Sequence, residues 1–551
     1  MSASPPMSAS PPVSASPPVS ASPPVSASRP SLGRGLLDPS VTPWYAIALM
    51  VGFLLNAWAF APVHPLAVIR TFVLGTLFAV AITGILTLAL RHRAAGGFVA
   101  ALLVGGLVGY GRATSLLASF LRQSIAVQAV LAVAVIAALA VGLWLFWRFV
   151  ARPANGWARL TYGLNVIGVI FVAVGLFGLV RSGGLATAAG ELLGEARTPV
   201  GQAASGAPDI YFVLLDGYPR HDVVQRVFGW DDSAFLDQLR QRGFELGTTN
   251  SANYLFTPFS VGSMWHMRHI PDIPEMQPVL QGEVPFEPTV RRMFNHNESF
   301  DLLRQHGYEV VTVAPPWEDV ALRAADTYVD NGGINEFETS LVERTAMDRV
   351  LRTFAPDVLF QQERDRVTFA LEQMDRLSAE QGDGPRFVLV HVVAPHMPAV
   401  FGPNGEPVRM PYQQFFWVDS APQRGMDQED YRRLALGQLQ YVSTAVIPAL
   451  DALLANDPEA VVVVFGDHGS GVGMDWEDVP ESDLGERFGN LFAARTPGKT
   501  GVFDVDGSLI NTMPALFEGY FSLTVERQPD LHYAWRDGKE TDLYLWDGDP
   551  G

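Results

Sequence analysis

Apolar runs of this chain end in side chains that can ligate a metal ion or contact a phosphate group. One run of six residues ends at Asp216, and a run of four valines leads to Asp467 and His468. A third run passes through His391 and ends near His396. Ligands of open α/β sheets bind beyond the carboxyl ends of the strands, so these residues are expected to converge. Two aspartates and a histidine form a donor set that suits Zn²⁺, Mn²⁺ or Mg²⁺.

Each of these patterns also has a purely structural interpretation. An Asp-Gly pair after a strand, as at Asp216, is a common turn. His391 lies within its apolar run and is also compatible with a hydrogen-bonded histidine of the core. The Asp467-His468 pair is more specific, because a strand of four valines rarely ends in two such polar residues for packing reasons.

A threonine that precedes a proline is the candidate nucleophile. Thr257 is a favourable N-cap residue, and Pro258 suits the first position of a helix. The backbone N–H groups and the positive dipole end of such a helix favour an oxyanion, such as a phosphoryl or sulfuryl group. A metal-bound hydroxyl is also more acidic and attacks more readily. Ser260 and Ser263 are rival nucleophiles, and the structural alternative is that Thr257 only caps the helix.

Alternating strand and helix patterns surround these residues and predict an α/β domain with a largely parallel sheet. The predicted helices lie at 363–378 and 431–454, and Pro448 is expected to kink the second one. The predicted strands are Ile210–Leu215, Glu309–Val313, Phe387–Val393 and Ala460–Phe465. Their unbroken apolar runs are typical of strands that are buried on both faces.

The first third of the chain is almost continuously apolar and predicts a helical membrane region. Apolar stretches of nearly membrane-spanning length lie at 44–60, 66–90, 98–120, 125–147 and 161–180. Basic residues flank them on one side: Arg29 and Arg34, then Arg91 and Arg93, then Arg148, Arg152 and Arg159. The positive-inside rule therefore predicts a cytoplasmic N-terminus and an extracytoplasmic domain after about residue 185. Arg112 is expected at the outer interface, either snorkelling or contacting a lipid headgroup.

Composition and length set the remaining expectations. The 551 residues carry a net charge of −19, which argues against a nucleic-acid partner. The absence of cysteine excludes disulfides, thiolate metal sites and a cysteine nucleophile. The predicted organisation is a disordered Pro/Ser-rich cytoplasmic tail (1–40), a five-helix transmembrane region (41–182), a linker (183–207), a catalytic domain (208–525) and a C-terminal tail (526–551).

The order of the motifs resembles the sulfatase/alkaline phosphatase superfamily. The motifs are an Asp that ends the first strand, Asn-Tyr-x-x-Thr-x-x-Ser at 253–260, Ala-Pro-His-x-Pro at 394–398 and Gly-Asp-His-Gly at 466–469. Five helices before an extracytoplasmic domain also resemble lipoteichoic acid synthases and phosphoethanolamine transferases. The resemblance implies an alkaline phosphatase-like fold, with a mostly parallel sheet flanked by helices and preceded by an α-helical transmembrane bundle.

The resemblance also implies roles for the site residues. The metal ligands would be Asp216, Asp467, His468 and Thr257, and Thr257 would be the nucleophile. The substrate-binding residues would be His391, His396 and Arg487, with His396 also catalytic. One divalent metal ion is expected, Zn²⁺ or Mn²⁺, with Mg²⁺ or Ca²⁺ as further possibilities. True sulfatases carry a Cys/Ser-x-Pro-x-Arg motif at the nucleophile; this chain has no cysteine and no such motif at Thr257, so the resemblance favours phosphoryl chemistry.

The predicted function is that of a membrane-anchored, metal-dependent phosphotransferase or phosphodiesterase of the cell envelope. Its partners would be membrane lipid and a lipid- or glycan-linked phosphoester or sulfate ester, without nucleic acid. A sulfatase-type ester hydrolase is one alternative. A member of the family that binds an envelope component without catalysis is another.

Overall fold

The computed structural model describes residues 42–61, 63–121, 125–151, 155–185, 201–380, 382, 384–410, 419–536, 538–548 and 550. The predicted N-terminal tail and residues 186–200 of the predicted linker lie outside these ranges. The helices of the apolar region are α1 (Tyr45–Phe60), α2 (Pro65–Leu90), α3 (Arg93–Leu121), α4 (Ile125–Phe146, continued by a π-helical turn at Trp147–Ala151) and α5 (Gly156–Arg181).

All five apolar stretches are helical, as predicted. Helices α2, α3 and α5 are long and apolar enough to cross a membrane. Helix α4 has 22 residues, whereas α1 has 16 and is shorter than a typical bilayer crossing. Helix α1 packs against α2, α3 and α5. The region therefore has the helices of a membrane anchor, and the number of crossings remains a prediction.

The remainder of the chain alternates strands and helices. The strands are β1 (Ile210–Leu215), β2 (Glu245–Leu246), β3 (Glu309–Val313), β4 (Thr327–Val329), β5 (Arg386–Val392), β6 (Val461–Phe465), β7 (Phe492–Arg495), β8 (His532–Arg536) and β9 (Lys539–Trp546). The α-helices of five or more residues are α6 (Ser233–Gln241), α7 (Thr257–His266), α8 (Phe286–Asn295), α9 (Glu298–Gln305), α10 (Glu336–Arg344), α11 (Met347–Phe354), α12 (Val358–Ala379), α13 (Gln428–Asn456), α14 (Leu484–Phe488) and α15 (Thr512–Phe521).

Strands β1 to β7 form one sheet in the order β2-β7-β6-β1-β5-β3-β4. Strand β1 runs parallel to both β5 and β6, and β3 runs parallel to β4 and β5. Strand β7 pairs antiparallel with β6 and β2, so the sheet is mixed at that edge only. The four predicted strands correspond to β1, β3, β5 and β6, within one residue at each end, and the predicted α/β class is confirmed.

The alternation of side chains along β1 divides the core between the two faces of the sheet. Tyr211, Val213 and Leu215 pack on one face with apolar side chains of α12 and α13. Ile210, Phe212 and Leu214 pack on the other face with side chains of α7, α9 and α15. Because the sheet is covered on both sides, polar residues of the central strands are accessible only at the strand ends.

Candidate active site

The carboxyl ends of β1, β5 and β6 bring the predicted ligands to one edge of the sheet. Leu215 of β1 lies opposite Val392 of β5, and Leu214 lies opposite Phe465 of β6. The Asp216 N–H donates to the Val392 carbonyl at 3.0 Å, which continues the ladder by one residue. The His396 N–H donates to the Asp216 carbonyl at 2.9 Å. Backbone pairing therefore positions the strand-end residues side by side.

The side chains at this edge form a compact donor set. His468 Nε2 lies 3.3 Å from Asp467 Oδ2 and 3.8 Å from Asp216 Oδ1. One ligand atom each of Asp216, His396 and His468 lies within 4.8 Å of the other two. Three of the predicted metal ligands, Asp216, Asp467 and His468, are thus close together. His396, predicted as a substrate contact, also lies within reach of a shared cation.

Both histidines are held through Nδ1 by a backbone carbonyl. His468 Nδ1 lies 2.9 Å from the Gly469 carbonyl, and His396 Nδ1 lies 2.7 Å from the Met397 carbonyl. A carbonyl only accepts, so Nδ1 carries a proton in each ring. Burial, followed by the Arg487 guanidinium, lowers the pKa of His468 to about 4. This histidine is therefore neutral at physiological pH, as a metal ligand must be.

The carboxylates of Asp216 and Asp467 are buried and only partly satisfied by hydrogen bonds. Asp216 and Asp467 have no exposed surface. Within the described ranges, Asp216 Oδ1 and Asp467 Oδ2 have no hydrogen-bond partner. Burial and the neighbouring Asp467 carboxylate raise the pKa of Asp216 well above its usual range. Buried carboxylates are normally paired or coordinate a metal, so these residues fit a divalent cation.

Thr257 lies at the start of α7 and faces the same centre. Burial raises the pKa of Asp467, whereas neighbouring groups that include His468 and the Thr257 hydroxyl lower it. The net result is a pKa below the usual value of an aspartate. The predicted cap is off by one residue, because Thr257 is the first residue of the helix and Phe256 occupies the N-cap position. Proline is tolerated anywhere in the first turn, since the N–H groups there lack intrahelical acceptors, so Pro258 does not define the register.

The two rival serines point away from the cavity. Ser260 Oγ donates to the Tyr254 carbonyl at 2.8 Å, and Ser263 Oγ donates to the Ser260 carbonyl at 2.9 Å. Both serines are completely buried in the protein interior. Their hydroxyls satisfy the backbone, so Thr257 is the hydroxyl of α7 that is available to a substrate.

Arg487 lies at the centre but its donors are engaged by the protein. Its Nε donates to the Leu255 carbonyl at 2.7 Å, and its Nη2 donates to His468 Nε2 at 3.1 Å. Its Nη1 pairs with Asp419, which also accepts a hydrogen bond from the Tyr431 hydroxyl. Burial disfavours the Asp419 carboxylate, but Arg487 lowers the pKa of Asp419 below its usual range. Sequence analysis missed Asp419, because it lies in an irregular loop with no motif around it.

His391 contacts Asp216. Its Nε2 lies 2.8 Å from Asp216 Oδ2, and the imidazole is 3% exposed. Burial lowers the pKa of His391 to about 4, so the ring is neutral at physiological pH. The contact with Asp216 holds His391 behind the donor set, and its role as a substrate contact stays a prediction.

A cavity of about 580 Å³ opens over this centre. Thr257, His396, His468 and Arg487 contribute to its walls, together with Trp476 and Trp535. The rings of Trp476 and Trp535 stack with centroids 5.2 Å apart. Trp535 belongs to the β8-β9 hairpin, in the segment predicted as a C-terminal tail, so that segment is folded over the cavity. The weak strand pattern of the hairpin explains why sequence analysis missed it.

Comparison with known proteins places this site in a family. The sequence model of the Sulfatase family matches residues 231–500, about half of the chain. Among curated proteins, none is significantly similar in sequence.

Solved structures give weaker similarities. The C-terminal periplasmic domain of EcEptC from Escherichia coli is 14% identical, with a TM-score of 0.40, covering 64% of this chain and 97% of that domain. A phosphonate monoester hydrolase of Agrobacterium radiobacter is 14% identical, with a TM-score of 0.38 and coverages of 59% and 79%. The integral membrane protein lipooligosaccharide phosphoethanolamine transferase A from Neisseria meningitidis is 12% identical, with a TM-score of 0.33 and coverages of 66% and 68%.

All three TM-scores are below 0.5, so the assignment rests on the match to the family sequence model and on the predicted motifs. On that basis, the chain belongs to the sulfatase/alkaline phosphatase superfamily and carries a Sulfatase domain.

Proposed function

We propose that this protein is a membrane-anchored, metal-dependent phosphotransferase or phosphodiesterase that acts through Thr257. Its substrates would be lipid- or glycan-linked phosphoesters, and its catalytic domain would lie outside the cytoplasm. The observation that carries the proposal is the position of the Thr257 hydroxyl, which shares a cavity with His396 and His468 beside two buried carboxylates with free oxygens.

The residues that would hold the cation are Asp216, Asp467 and His468, with His396 and Thr257 beside them. A bound divalent ion would stabilise charge on the phosphoryl oxygens and acidify the threonine hydroxyl. The donor set of carboxylate oxygens and imidazole nitrogens suits Zn²⁺ or Mn²⁺.

The chain itself would orient and move the reacting atoms. The Thr257 hydroxyl lies beside the Asp467 carboxylate, which would orient the threonine oxygen toward the cavity. That oxygen would form a bond to phosphorus as the bond to the leaving oxygen breaks, and the threonine proton would end on the leaving oxygen. The oxygen of an acceptor hydroxyl would then form a bond to phosphorus as the bond from phosphorus to the Thr257 oxygen breaks, and the acceptor's proton would end on Thr257. Water as the acceptor would make the enzyme a phosphodiesterase.

The position of the cavity supports a substrate at the membrane surface. Glu336, the first residue of α10, contributes to the cavity wall. Phe337 and Leu341 of the same helix belong to a hydrophobic cluster with Ala67 of α2 and Val104 of α3. One helix therefore links the cavity to the helical bundle, which favours substrates held at the bilayer over freely soluble ones.

Replacement of Thr257 tests the mechanism. We expect Thr257→Ala to reduce turnover of phosphodiester substrates by roughly three orders of magnitude or more, because the nucleophile is lost. Thr257→Ser should retain part of the activity, since it keeps the oxygen. Mass spectrometry of the parent protein mixed with donor should detect a phosphorylated Thr257. Undiminished turnover in Thr257→Ala would exclude this mechanism.

Two further assays separate the alternatives. Sulfate and phosphate esters offered side by side distinguish phosphoryl transfer from sulfatase activity, which the family name also permits. Metal analysis distinguishes an enzyme from a non-catalytic member, because a purified protein without any divalent ion would favour the latter.

A further inference from the structure

Helix α11 has an apolar face that the described residues leave partly exposed. Met347, Val350 and Phe354 are 38%, 43% and 81% exposed. With Leu351, they recur at spacings of three and four residues, so they share one side of the helix. No residue of α11 is buried. A stripe of this kind on a surface helix marks an interaction site.

The opposite face of α11 is polar and includes two arginines. Arg349 and Thr353 are exposed on that side. Arg352 forms an ion pair with Asp348 at 2.9 Å. An apolar stripe opposite arginines is the pattern of a helix that lies in a membrane interface, with its apolar side toward the acyl chains and its arginines among the headgroups.

The structure also positions α11 beside the outer end of the helical bundle. The Ala346 N–H, one residue before α11, donates to the Leu107 carbonyl of α3 at 2.9 Å. The Arg344 guanidinium lies 4.8 Å from the centre of the Phe60 ring, at the end of α1. Gly111 of α3 is so close to the Arg344 carbonyl that a side chain would clash there.

The length of α3 sets the depth of this contact. From Arg93, which is expected at the cytoplasmic boundary, Leu107 and Gly111 lie about 21 Å and about 27 Å along the helix axis. The hydrocarbon core of a bilayer is about 30 Å thick. Counted from Arg93, Leu107 and Gly111 thus lie about 9 Å and about 3 Å below the outer boundary of the hydrocarbon core. The apolar face of an interfacial helix lies at such a depth.

We propose that α11 is an interfacial helix that inserts Met347, Val350, Leu351 and Phe354 into the outer leaflet of the bilayer. The partner is the lipid surface, and Arg349 and Arg352 face its phosphate groups. The inference rests on the membrane anchoring in the proposed function but not on the chemistry at Thr257. Because α10 links α11 to the cavity, the helix would hold the cavity at a fixed height above the membrane.

The chain contains no cysteine, so single cysteines can be placed without altering any other residue. Val350→Cys and Phe354→Cys probe the apolar face. Thr353→Cys, one residue away on the polar face, is the matched control. Leu77→Cys in α2, whose side chain is 58% exposed on the bundle, reports whether the bundle itself contacts lipid.

Each full-length variant is labelled with an environment-sensitive fluorophore and reconstituted into phosphatidylcholine and phosphatidylglycerol vesicles. We expect labels at positions 350 and 354 to be quenched several-fold more by brominated lipid than the label at position 353, which aqueous iodide should quench instead. Equal iodide quenching at positions 350, 353 and 354 would overturn the proposal. Protection of positions 350 and 354 from both quenchers would also overturn it, because a protein partner would then cover the face.

The label at position 77 distinguishes failure of the interfacial-helix proposal from failure of the membrane anchoring. Lipid quenching at position 77 without quenching at positions 350 and 354 would contradict the interfacial helix alone. Absence of lipid quenching at position 77 would contradict the membrane anchoring on which the proposed function also depends.

Discussion

At the scale of single residues, His391 determines how Asp216 presents its oxygens. The imidazole Nε2 lies 2.8 Å from Oδ2, which leaves Oδ1 directed toward the donor set. Hydrogen bonds of this kind behind a metal ligand orient the ligand and tune its affinity. We therefore expect His391 to position Asp216.

We predict that His391→Leu lowers divalent-metal affinity by roughly 10- to 100-fold, because Asp216 loses its hydrogen-bond donor. His391→Gln should stay close to the parent value, since the glutamine amide can donate from nearly the position of Nε2. Competition with a chromophoric chelator measures the affinity of each purified protein. Equal affinity in His391→Leu and the parent protein would show that the hydrogen bond does not support the ligand.

A second residue-scale prediction concerns His266, at the end of the nucleophile helix α7. The side chain is buried, and its Nε2 donates to the Met293 carbonyl at 2.9 Å. Burial lowers the pKa of His266 below the value of 6.5 that is usual for histidine. The unfolded chain therefore binds this proton at a higher pH than the folded chain, so folding stability falls as the pH drops below about 6.5.

We expect the parent protein to lose more stability than His266→Gln between about pH 7.5 and about pH 5.5, by at most about 1.4 kcal/mol per pH unit. The glutamine keeps a donor for Met293 but does not titrate. Denaturant unfolding of the detergent-solubilised proteins measures the difference. Parallel stability curves for the two proteins would contradict the prediction.

At the scale of elements, α10 is held by a cap that also reaches the bundle. The Asn335 side chain accepts from the Glu338 N–H at 3.0 Å and donates to the Ala67 carbonyl of α2 at 2.8 Å. Glu338 also accepts from Arg70 Nε at 2.8 Å. The first turn of α10 therefore combines helix capping with docking onto the bundle.

Two substitutions separate these contributions. Asn335→Asp keeps an oxygen for the cap but loses the donor to Ala67, whereas Asn335→Ala loses both. Loss of an N-cap costs about 1 kcal/mol, so Asn335→Ala should speed hydrogen exchange of the first-turn amides of α10 by roughly fivefold relative to Asn335→Asp. Mass spectrometry of peptides covering 336–344 gives the rates. Equal exchange in the two variants would show that the cap contributes little.

At the scale of the whole molecule, the bundle and the α/β domain share a hydrophobic cluster. Phe337 and Leu341 of α10 are only 2% and 8% exposed, because residues of α2 and α3 cover them. Burial of a side chain of this size contributes about 1.5–3 kcal/mol. The anchor therefore stabilises the part of the domain that connects to the cavity, while the sheet has its own core.

A chain truncated to begin at Gly201 should consequently lose order locally. We expect amides at 331–356 to exchange at least tenfold faster than in the full chain, since the docking contacts are absent. Amides of β1, β5 and β6 should exchange at unchanged rates, because both faces of the sheet remain covered. Unchanged protection at 331–356 would mean that α10 and α11 do not depend on the bundle.

The sequence by itself determined the buried parallel strands of the sheet, the apolar helices and the polar residues that end the strands. Buried parallel strands require continuous apolar runs, so β1 and β6 can be recognised from the sequence alone. Asp216 and Asp467 are then identified as the polar residues at which those runs stop. The length of the apolar stretches and the basic residues that flank them likewise identify the apolar helices before their packing is known.

Only the tertiary structure decided which partners these residues meet. Three contacts join segments that are far apart along the chain: that of His391 with Asp216, that of Asp419 with Arg487, and that of the hairpin with the cavity. The physical reason is that a hydrogen bond or an ion pair depends on distances in space, whereas periodicity records only which face of an element is apolar. The contact between α10 and the bundle follows the same rule, because an amphipathic stripe does not specify the surface that will cover it.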